Sequence, residues 1–543
     1  MKAVISGWVP AIASDLPRWF LAVALCAGLA FAGPAAQAGT PPQILVVAQA
    51  LDDITSLDPA EGFELSGVQS FTSLYQRLVE PDPAQPAVMR PALAVSWQAG
   101  RDGRSMVFTL SPGAHFSNGD EVRPLDVVYS LRRAVVLNKS PAFILNELGW
   151  NADNVAQYLQ VLDGERVRVA WPRAVGPAFA LNVLSAPVAS IVDSRETEAH
   201  ALDGDMGNAW LKEGHSAGSG AFHIRRYISH EALVLDASPG SPAGAPLIKT
   251  VVIKDVPDPA TRRLLVETGD VDIARDLGPD QLAALHGNPE VKVVGFASAA
   301  IHYLMFNTRN AANPALANPA LWEAARWLID YDGLARNLLR GQFLVHQAFL
   351  ASGFPGALDS TPYHLDVARA RQILARGGLG SGVKIELDVF DQSPYTEIAQ
   401  SLQASFAQAG IQLQIHPATT GEIYARVRSQ KEQAVWLYWV QDYFDANSTA
   451  SAFALNRDDG TKTLAWRAGW VIPELSARTE AAVEADDPVV RQRLYTALQA
   501  SVQVDSPFVL ALQKRDALLM RANIRGYRQG LDADMVYYDK VTK

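Results

Sequence analysis

Residues 383–415 switch twice between two periodicities, and that constrains the fold more than any other stretch. Val383-Lys-Ile-Glu-Leu-Asp-Val389 places an apolar side chain at every second position, as a half-buried strand does. Thr396 to Ala409 then takes helical spacing and stops at Gly410, after which Ile411-Gln-Leu-Gln-Ile415 alternates again. Strand, helix, glycine and strand at this spacing predict a compact α/β unit. Leu321 to Arg340 and Val367 to Ala375 read as amphipathic helices of the same unit. The first half is richer in β patterns. Ile44-Leu-Val-Val-Ala48 predicts a buried strand, Leu65 to Val79 a helix, and Met106-Val-Phe-Thr-Leu110 a strand ending at the Ser111-Pro112-Gly113 turn. Pro124 to Leu137 predicts a helix with proline in its first turn. A chain of 543 residues is expected to form two or three domains.

The N-terminus has the layout of a secretory signal. Lys2 and Arg18 precede the apolar run Trp19 to Ala32, followed by Gly33-Pro34 and the small-residue site Ala36-Gln37-Ala38. Residues 1–38 are therefore expected to be cleaved, leaving a periplasmic chain. The run falls short of the roughly 20 residues that span a bilayer. Asp15 within the long n-region points to a later translation start, and an uncleaved anchor is the alternative. The single cysteine, Cys26, lies inside the run behind the bulky Leu25, which argues against lipid attachment. The mature chain would then have no disulfide, no thiol nucleophile and no zinc-thiolate site.

Lys and Arg number 47 against 57 Asp and Glu, a net charge of −10, and no basic run exceeds a pair such as Arg132-Arg133. Nucleic-acid binding is not expected. His223 and His230-Glu231 lack the second histidine of a zinc-peptidase motif, and His115, His302 and His346 are scattered, so no metal site is expected. The acidic pairs Asp52-Asp53 and Asp458-Asp459 read as solvated turns. Gly214-His215-Ser216-Ala217-Gly218 fits the G-x-S-x-G pattern of a serine hydrolase. However, the polar stretch Asn208 to Glu213 precedes it where a buried strand should stand.

The aromatic run Trp436-Leu-Tyr-Trp439-Val-Gln leads to Asp442-Tyr443-Phe444-Asp445. A rigid strand that ends in a carboxylate suits a cleft for a cationic group, although an Asp after a strand is commonly a turn residue. Trp439, Tyr443, Phe444 and Trp466 could give such a cleft apolar walls. Phe63 and Glu64, after Leu57-Asp58-Pro59, are candidates on a facing surface, with an ordinary surface loop as the alternative.

An ordered series of motifs is similar to the family 5 extracytoplasmic solute-binding proteins of ABC importers, the oligopeptide-, dipeptide- and nickel-binding group. It runs from Leu57-Asp58-Pro59, Leu74-Tyr75 and Pro91-Ala-Leu-Ala94 through Gly113-Ala-His115-Phe116-Ser117-Asn118-Gly119 and Asp126-Val127-Val128. It continues with Ser219-Gly220-Ala221-Phe222, Gly269-Asp270-Val271-Asp272, Tyr303-Leu-Met-Phe306-Asn307, Ala325-Arg326, Tyr363-His-Leu-Asp366, Gly410-Ile411 and Asp442-Tyr443. Each motif alone is weak; the series covers nearly all of the mature chain.

The resemblance implies an α/β, two-lobed periplasmic binding protein of type II that closes on its ligand like a flytrap. Residues 43–298 and 507–543 would form lobe I, with an extra subdomain at about 82–205, and residues 299–506 lobe II. The chain would cross near Ala299 to Asn307 and near Val502 to Leu512. The resemblance further implies a monomeric, non-enzymatic carrier without cofactor, which captures a peptide or other ammonium-bearing solute for an inner-membrane ABC permease. Asp442 would pair with the ligand's ammonium, with Tyr443 beside it. Ala446-Asn447 depart from the proline that often follows the second acid in this family, which leaves a sugar, opine or metal chelate as alternative cargo. A periplasmic hydrolase using Ser216 is the alternative from another class.

Overall fold

The computed structural model describes residues 39–239, 244–285, 287–457 and 462–543. The signal-like segment, Cys26 and Asp458-Asp459 lie outside them. An eleven-stranded sheet organises the described chain. From one edge its order is Ile411–Ala418, Val383–Phe390, Ala434–Trp439, Val291–Phe306 and Phe508–Arg521, with Phe343–Val345 also pairing Phe508–Arg521. Ile273–Ala274, Ile44–Gln49, Thr250–Asp255, Ala232–Ala237 and Phe222–Ile228 complete it. Val383–Phe390 is parallel to both of its neighbours, and so is Ile44–Gln49. Each end of the sheet is thus an α/β unit whose parallel strands need crossover connections.

The 16-residue strand Val291–Phe306 and the 14-residue strand Phe508–Arg521 join the two ends and pair antiparallel along most of their length. Their register breaks between Ala297 and Ile301. Gln513 closes the gap: its amide nitrogen donates to the Ser298 and Ser352 carbonyls at 2.9 and 3.3 Å, and its oxygen accepts the Ser352 N–H at 2.8 Å. A buried amide with every group paired favours one register over its neighbours.

Several sequence motifs have structural partners. Asp58 is fully buried and receives a two-pronged bond from the Arg133 guanidinium at 2.8 and 2.6 Å. Asp272, in the Gly-Asp-Val-Asp segment, accepts from Thr40 Oγ1, the Val46 N–H and Lys543 Nζ, tying both ends of the described chain to one carboxylate. A separate core gathers apolar side chains mainly from Leu78 to Ile191 around the four-stranded sheet of Ala94–Ala99, Ser105–Leu110, Arg166–Ala170 and Leu159–Val161.

Two helices differ from the periodicity. The one expected over Leu65 to Val79 ends at Leu74, and Tyr75 is extended at φ −127°. Residues 76–78 then offer their carbonyls to the N–H groups of Ile191, Leu93 and Ala94 at 2.9 to 3.0 Å, so tertiary backbone pairing overrides the helical pattern. The helix expected over Leu321 to Arg340 breaks after Arg326. The Trp327 carbonyl accepts the Asp366 N–H at 2.8 Å, and the Asp330 carboxylate caps the Gly333 N–H at 2.9 Å, starting a new turn that continues as a π-helical segment, Leu334–Leu338.

Candidate functional site

The two long strands change character where their register breaks. Ser298 and His302 on one strand and Gln513-Lys514-Arg515-Asp516 on the other stand among mainly apolar neighbours. A cavity of about 120 Å³ opens above them, walled by Leu65 and Gln69 on one side, by Tyr395, Tyr438 and Val440 on the other, and by Leu531 to Ala533. It borders a groove of about 610 Å³ that shares Asp276, Tyr395, Lys514 and Asp516. The groove runs between Ala50 and Asp52, just past the carboxyl end of Ile44–Gln49, and Gln392 to Tyr395, just past that of Val383–Phe390. Ligands of open α/β sheets bind at that end of the strands.

The floor of the cavity is balanced in charge. Lys514 Nζ lies 3.1 Å from Asp516 and 3.9 Å from Asp276. Asp516 also accepts from the Gln529 amide at 2.7 Å, Gln529 accepts from the Tyr527 hydroxyl at 3.0 Å, and Tyr527 accepts from Arg275 at 2.6 Å. The Asp516 negative charge raises the Lys514 pKa against the cost of burial. Burial opposes ionisation of Asp516, yet Lys514 and Arg275 hold its pKa below the ordinary carboxylate value. His302 is 2% exposed and packed among Phe343, Tyr395 and Tyr438. Burial, helped by Lys514, pushes it down to about 3, so the imidazole is neutral. Its Nδ1 has no partner among the described residues.

Asp442 lies two residues past Val440. Its N–H donates to Ser448 Oγ at 2.8 Å, which fixes it against the start of the helix Ala446–Ala454. The half-buried carboxyl accepts no hydrogen bond and meets no cation within ion-pair distance among the described residues. Loss of solvent raises its pKa to about 7; Arg467 lowers it and Glu147 raises it. Asp445, three residues on, is fully engaged: Arg491 grips it at 2.6 and 3.0 Å, Asn182 donates at 2.6 Å, and it caps the Asn447 N–H.

The other sequence candidates occupy different surroundings. Tyr443 is buried edge-on to Phe179 and accepts from the Asn447 amide at 3.2 Å. Phe444 stacks on Phe354 at 4.3 Å. Trp439 is half-buried with its Nε1 unpartnered, and Trp466 lies 5.4 Å below Lys462. Phe63 is 37% exposed and packs edge-on to Phe143, while Glu64 accepts the Phe63 N–H at 3.2 Å. Leu65 and Gln69, on the helix that follows, line the cavity. Sequence reasoning missed Tyr438, Tyr395, Lys514, Asp516 and Asp532. Lys514-Arg515-Asp516 inside an apolar strand was the available signal, because charges in a fully paired strand need a cavity or partners.

Ser216 has a structural place. Its Oγ accepts the Ile224 N–H at 3.0 Å, and His215 stacks on Trp210 with Nδ1 2.7 Å from that residue's carbonyl oxygen. A Cβ on Gly218 would stand 2.1 Å from the Leu74 carbonyl oxygen and one on Gly220 2.3 Å from that of Ser73. These glycines serve close backbone approach. Among the described residues no group of three or more His, Cys, Asp or Glu could hold a metal.

Residues 88–461 match the family model of bacterial extracellular solute-binding proteins, family 5 Middle. The chain is 27% identical over 501 residues, 91% of its own length and 93% of the relative's, to the probable D,D-dipeptide-binding periplasmic protein DdpA of Escherichia coli (strain K12). Among solved structures, the ABC transporter substrate binding protein CtaP of Listeria monocytogenes superposes with a TM-score of 0.81 at 16% identity, over 93% of this chain and 99% of that one. The periplasmic binding protein DppA of Helicobacter pylori, in complex with a peptide, gives 0.75 at 20% identity over 92% and 98%. The fold is that of the two-lobed periplasmic binding proteins, and the matching family is one of solute-binding proteins, not enzymes. The chain belongs to the family 5 bacterial extracellular solute-binding proteins.

Proposed function

We propose that this protein is the periplasmic substrate-binding component of an ABC importer, and that it captures a peptide or another small ammonium-bearing solute. Residues 43–298 and 507–543 act as lobe I, with a subdomain at about 82–205, and residues 299–506 act as lobe II. The solute biases a hinge equilibrium by touching both lobes, and the closed form delivers it to an inner-membrane permease. The half-buried carboxyl of Asp442, without a hydrogen-bond or ion-pair partner among the described residues, carries this reading. A carboxylate kept partly from water and left without a cation binds an ammonium through charge-assisted hydrogen bonds. Trp439, Tyr443 and Phe444 form the apolar support of that loop, and Phe63 and Glu64, just before the cavity-lining Leu65, are candidate contacts. DdpA is named as a probable D,D-dipeptide-binding protein, so a D,D-dipeptide, with D-alanyl-D-alanine as a simple example, is the first solute to try.

The test is calorimetric titration of the mature protein, refolded to strip bound solute, with D-alanyl-D-alanine, pooled L-dipeptides and glutathione. Saturable heat that is lost in Asp442→Asn supports an amine-anchoring carrier. Equal affinity in Asp442→Asn would sink the role of Asp442. No heat from any of these solutes would favour a sugar, an opine or a metal chelate as cargo.

A further inference from the structure

Among the described residues lining the inner cavity, one carboxyl has no cation. Lys514 is taken by Asp516 and Asp276, and Asp534 is locked to Arg77 at 2.6 Å with both side chains buried. Asp532, 6% exposed and part of the cavity wall, accepts the N–H of its neighbour Ala533 at 3.1 Å and has the Gln441 side chain beside it, which favours its ionised form, but it meets no cation within ion-pair distance among the described residues. The strand Val291–Phe306 sets it opposite the Asp442 loop. Ala299 donates its N–H to the Leu531 carbonyl at 3.1 Å, while Ile301 pairs with Trp439. Val440 and Asp532 consequently face the same space. Burial first, then the Asp534 charge and more weakly that of Asp442, hold the Asp532 carboxyl well above the ordinary carboxylate range, so that it keeps its proton until a cation arrives.

Two further side chains in this place lack the partners that burial normally requires. The Gln441 side chain, in a residue only 6% exposed, lies beside Asp532 and favours its ionised form, and its amide nitrogen has no other partner among the described residues. His302 lines the same cavity with Nδ1 unpartnered. Two like charges brought together without a cation repel, whereas a cation between them is attracted by both. An ammonium also has three N–H donors to distribute, more than one carboxylate oxygen can accept.

We propose that Asp532 is the second anchor for the solute's ammonium, so that one carboxylate from the C-terminal segment and Asp442 from the facing loop hold it between them, with His302 as a neutral partner deeper in the cavity. Asp532's part rests on the proposed role of Asp442. The arrangement selects a primary amine, because a quaternary ammonium has the charge and no donors, and an N-acylated solute has neither the charge nor the three donors. It also couples capture to closure, since the two carboxylates belong to different lobes of the proposed division.

The probe is n-propylammonium, and the readout is the thermal midpoint of the mature protein at fixed ionic strength, against equal concentrations of tetramethylammonium. Preferential binding to the folded state raises the midpoint. The wild type is expected to show a rise with propylammonium alone, and Asp532→Asn and Asp442→Asn are each expected to lose it. Asp532→Asn should fold as well as the wild type, because burial already keeps this carboxyl neutral without solute and an amide of the same shape takes its place. If it does not fold, Asp532→Ser replaces it. A wild type that does not distinguish propylammonium from tetramethylammonium overturns the pocket, and an Asp532→Asn protein with an undiminished rise overturns the second anchor. Dipeptide heat that survives in Asp532→Asn and vanishes in Asp442→Asn would leave the carrier standing without this anchor. A propylammonium rise lost in both variants, in a protein that gives no dipeptide heat, would leave the pocket standing and remove the dipeptide.

Discussion

Asp442 and Asp445 stand three residues apart on one loop and differ in every physical respect. Asp445 is fully buried with Arg491, Asn182 and a helix N-terminus around its oxygens. Asp442 is half-buried with its oxygens unpartnered among the described residues. The same division separates the floor of the inner cavity, where Lys514, Asp516, Asp276 and Arg275 compensate one another, from its wall, where Asp532 has no cation. A charge that builds the protein finds its partner within the chain. A charge that waits for a solute is held away from one, at some cost to stability, and the cost is recovered on binding.

The strongest way to break this comparison is to treat both carboxylates alike. Asp445→Ala leaves the Arg491 guanidinium, which also stacks on Phe179 and Tyr495, buried without its anion. Breaking such a pair from one side costs about 3–5 kcal/mol. The expected outcome is a fall of that size in unfolding free energy by chemical denaturation; a loss under about 1 kcal/mol would mean that Arg491 finds water or another anion.

Asp442→Asn should do the reverse. Affinity for an ammonium solute falls by about 2–5 kcal/mol, as when one partner of a buried charged contact is removed. The denaturation midpoint without solute should not fall. The sign follows from the raised pKa: the folded state holds the Asp442 proton more tightly than the unfolded chain, so this group favours folding at low pH and that contribution is lost as pH rises through about 7. The Asn variant is therefore expected to exceed the wild type in stability at pH 8 and to converge with it toward pH 4. A variant less stable than the wild type at pH 8 would make Asp442 a structural residue like Asp445.

The sequence made one side of this comparison easier to see than the other. The helix Pro124–Leu137 has the bounds its proline, Asp126 and apolar spacing predict, because the signals that start and drive it are local. Val383–Phe390 and Ile411–Ala418 follow their alternation for the same reason. Asp442 was visible as a carboxylate at the end of an aromatic strand. Its lack of a partner was not, since that depends on every residue that folds around it. Asp445 looked equivalent until Arg491, 46 residues away, and Asn182, 263 away, closed on it. Asp532 carries no local mark at all; the long strand Val291–Phe306 brings it opposite the Asp442 loop.

The pH dependence of capture sharpens the comparison with a smaller effect. An ammonium binds the ionised carboxylate, and without solute Asp442 holds its proton up to about pH 7. Below that pH each binding event must displace the proton. Between pH 7.5 and pH 5.5 the ionised fraction falls roughly 25-fold, so affinity should weaken by about that factor in the wild type and not in Asp442→Asn. Calorimetry in two buffers of different ionisation enthalpy should register the released proton directly. A flat profile in the wild type would show that Asp442 is already ionised before the solute arrives.

The smallest effect belongs to Phe63. Its ring is more than a third exposed and meets Phe143 edge-on at 5.8 Å, outside both the inner cavity and the groove. Removing an exposed edge-to-face contact costs about 0.5–1.5 kcal/mol at most. Phe63→Ala is therefore expected to change solute affinity less than about threefold, well under the Asp442 loss. A tenfold or larger loss of affinity with an unchanged denaturation midpoint would place Phe63 against the solute in the closed form. It would also mean that the two carboxylates are helped by an apolar contact outside the cavity, which then shares the energy of capture.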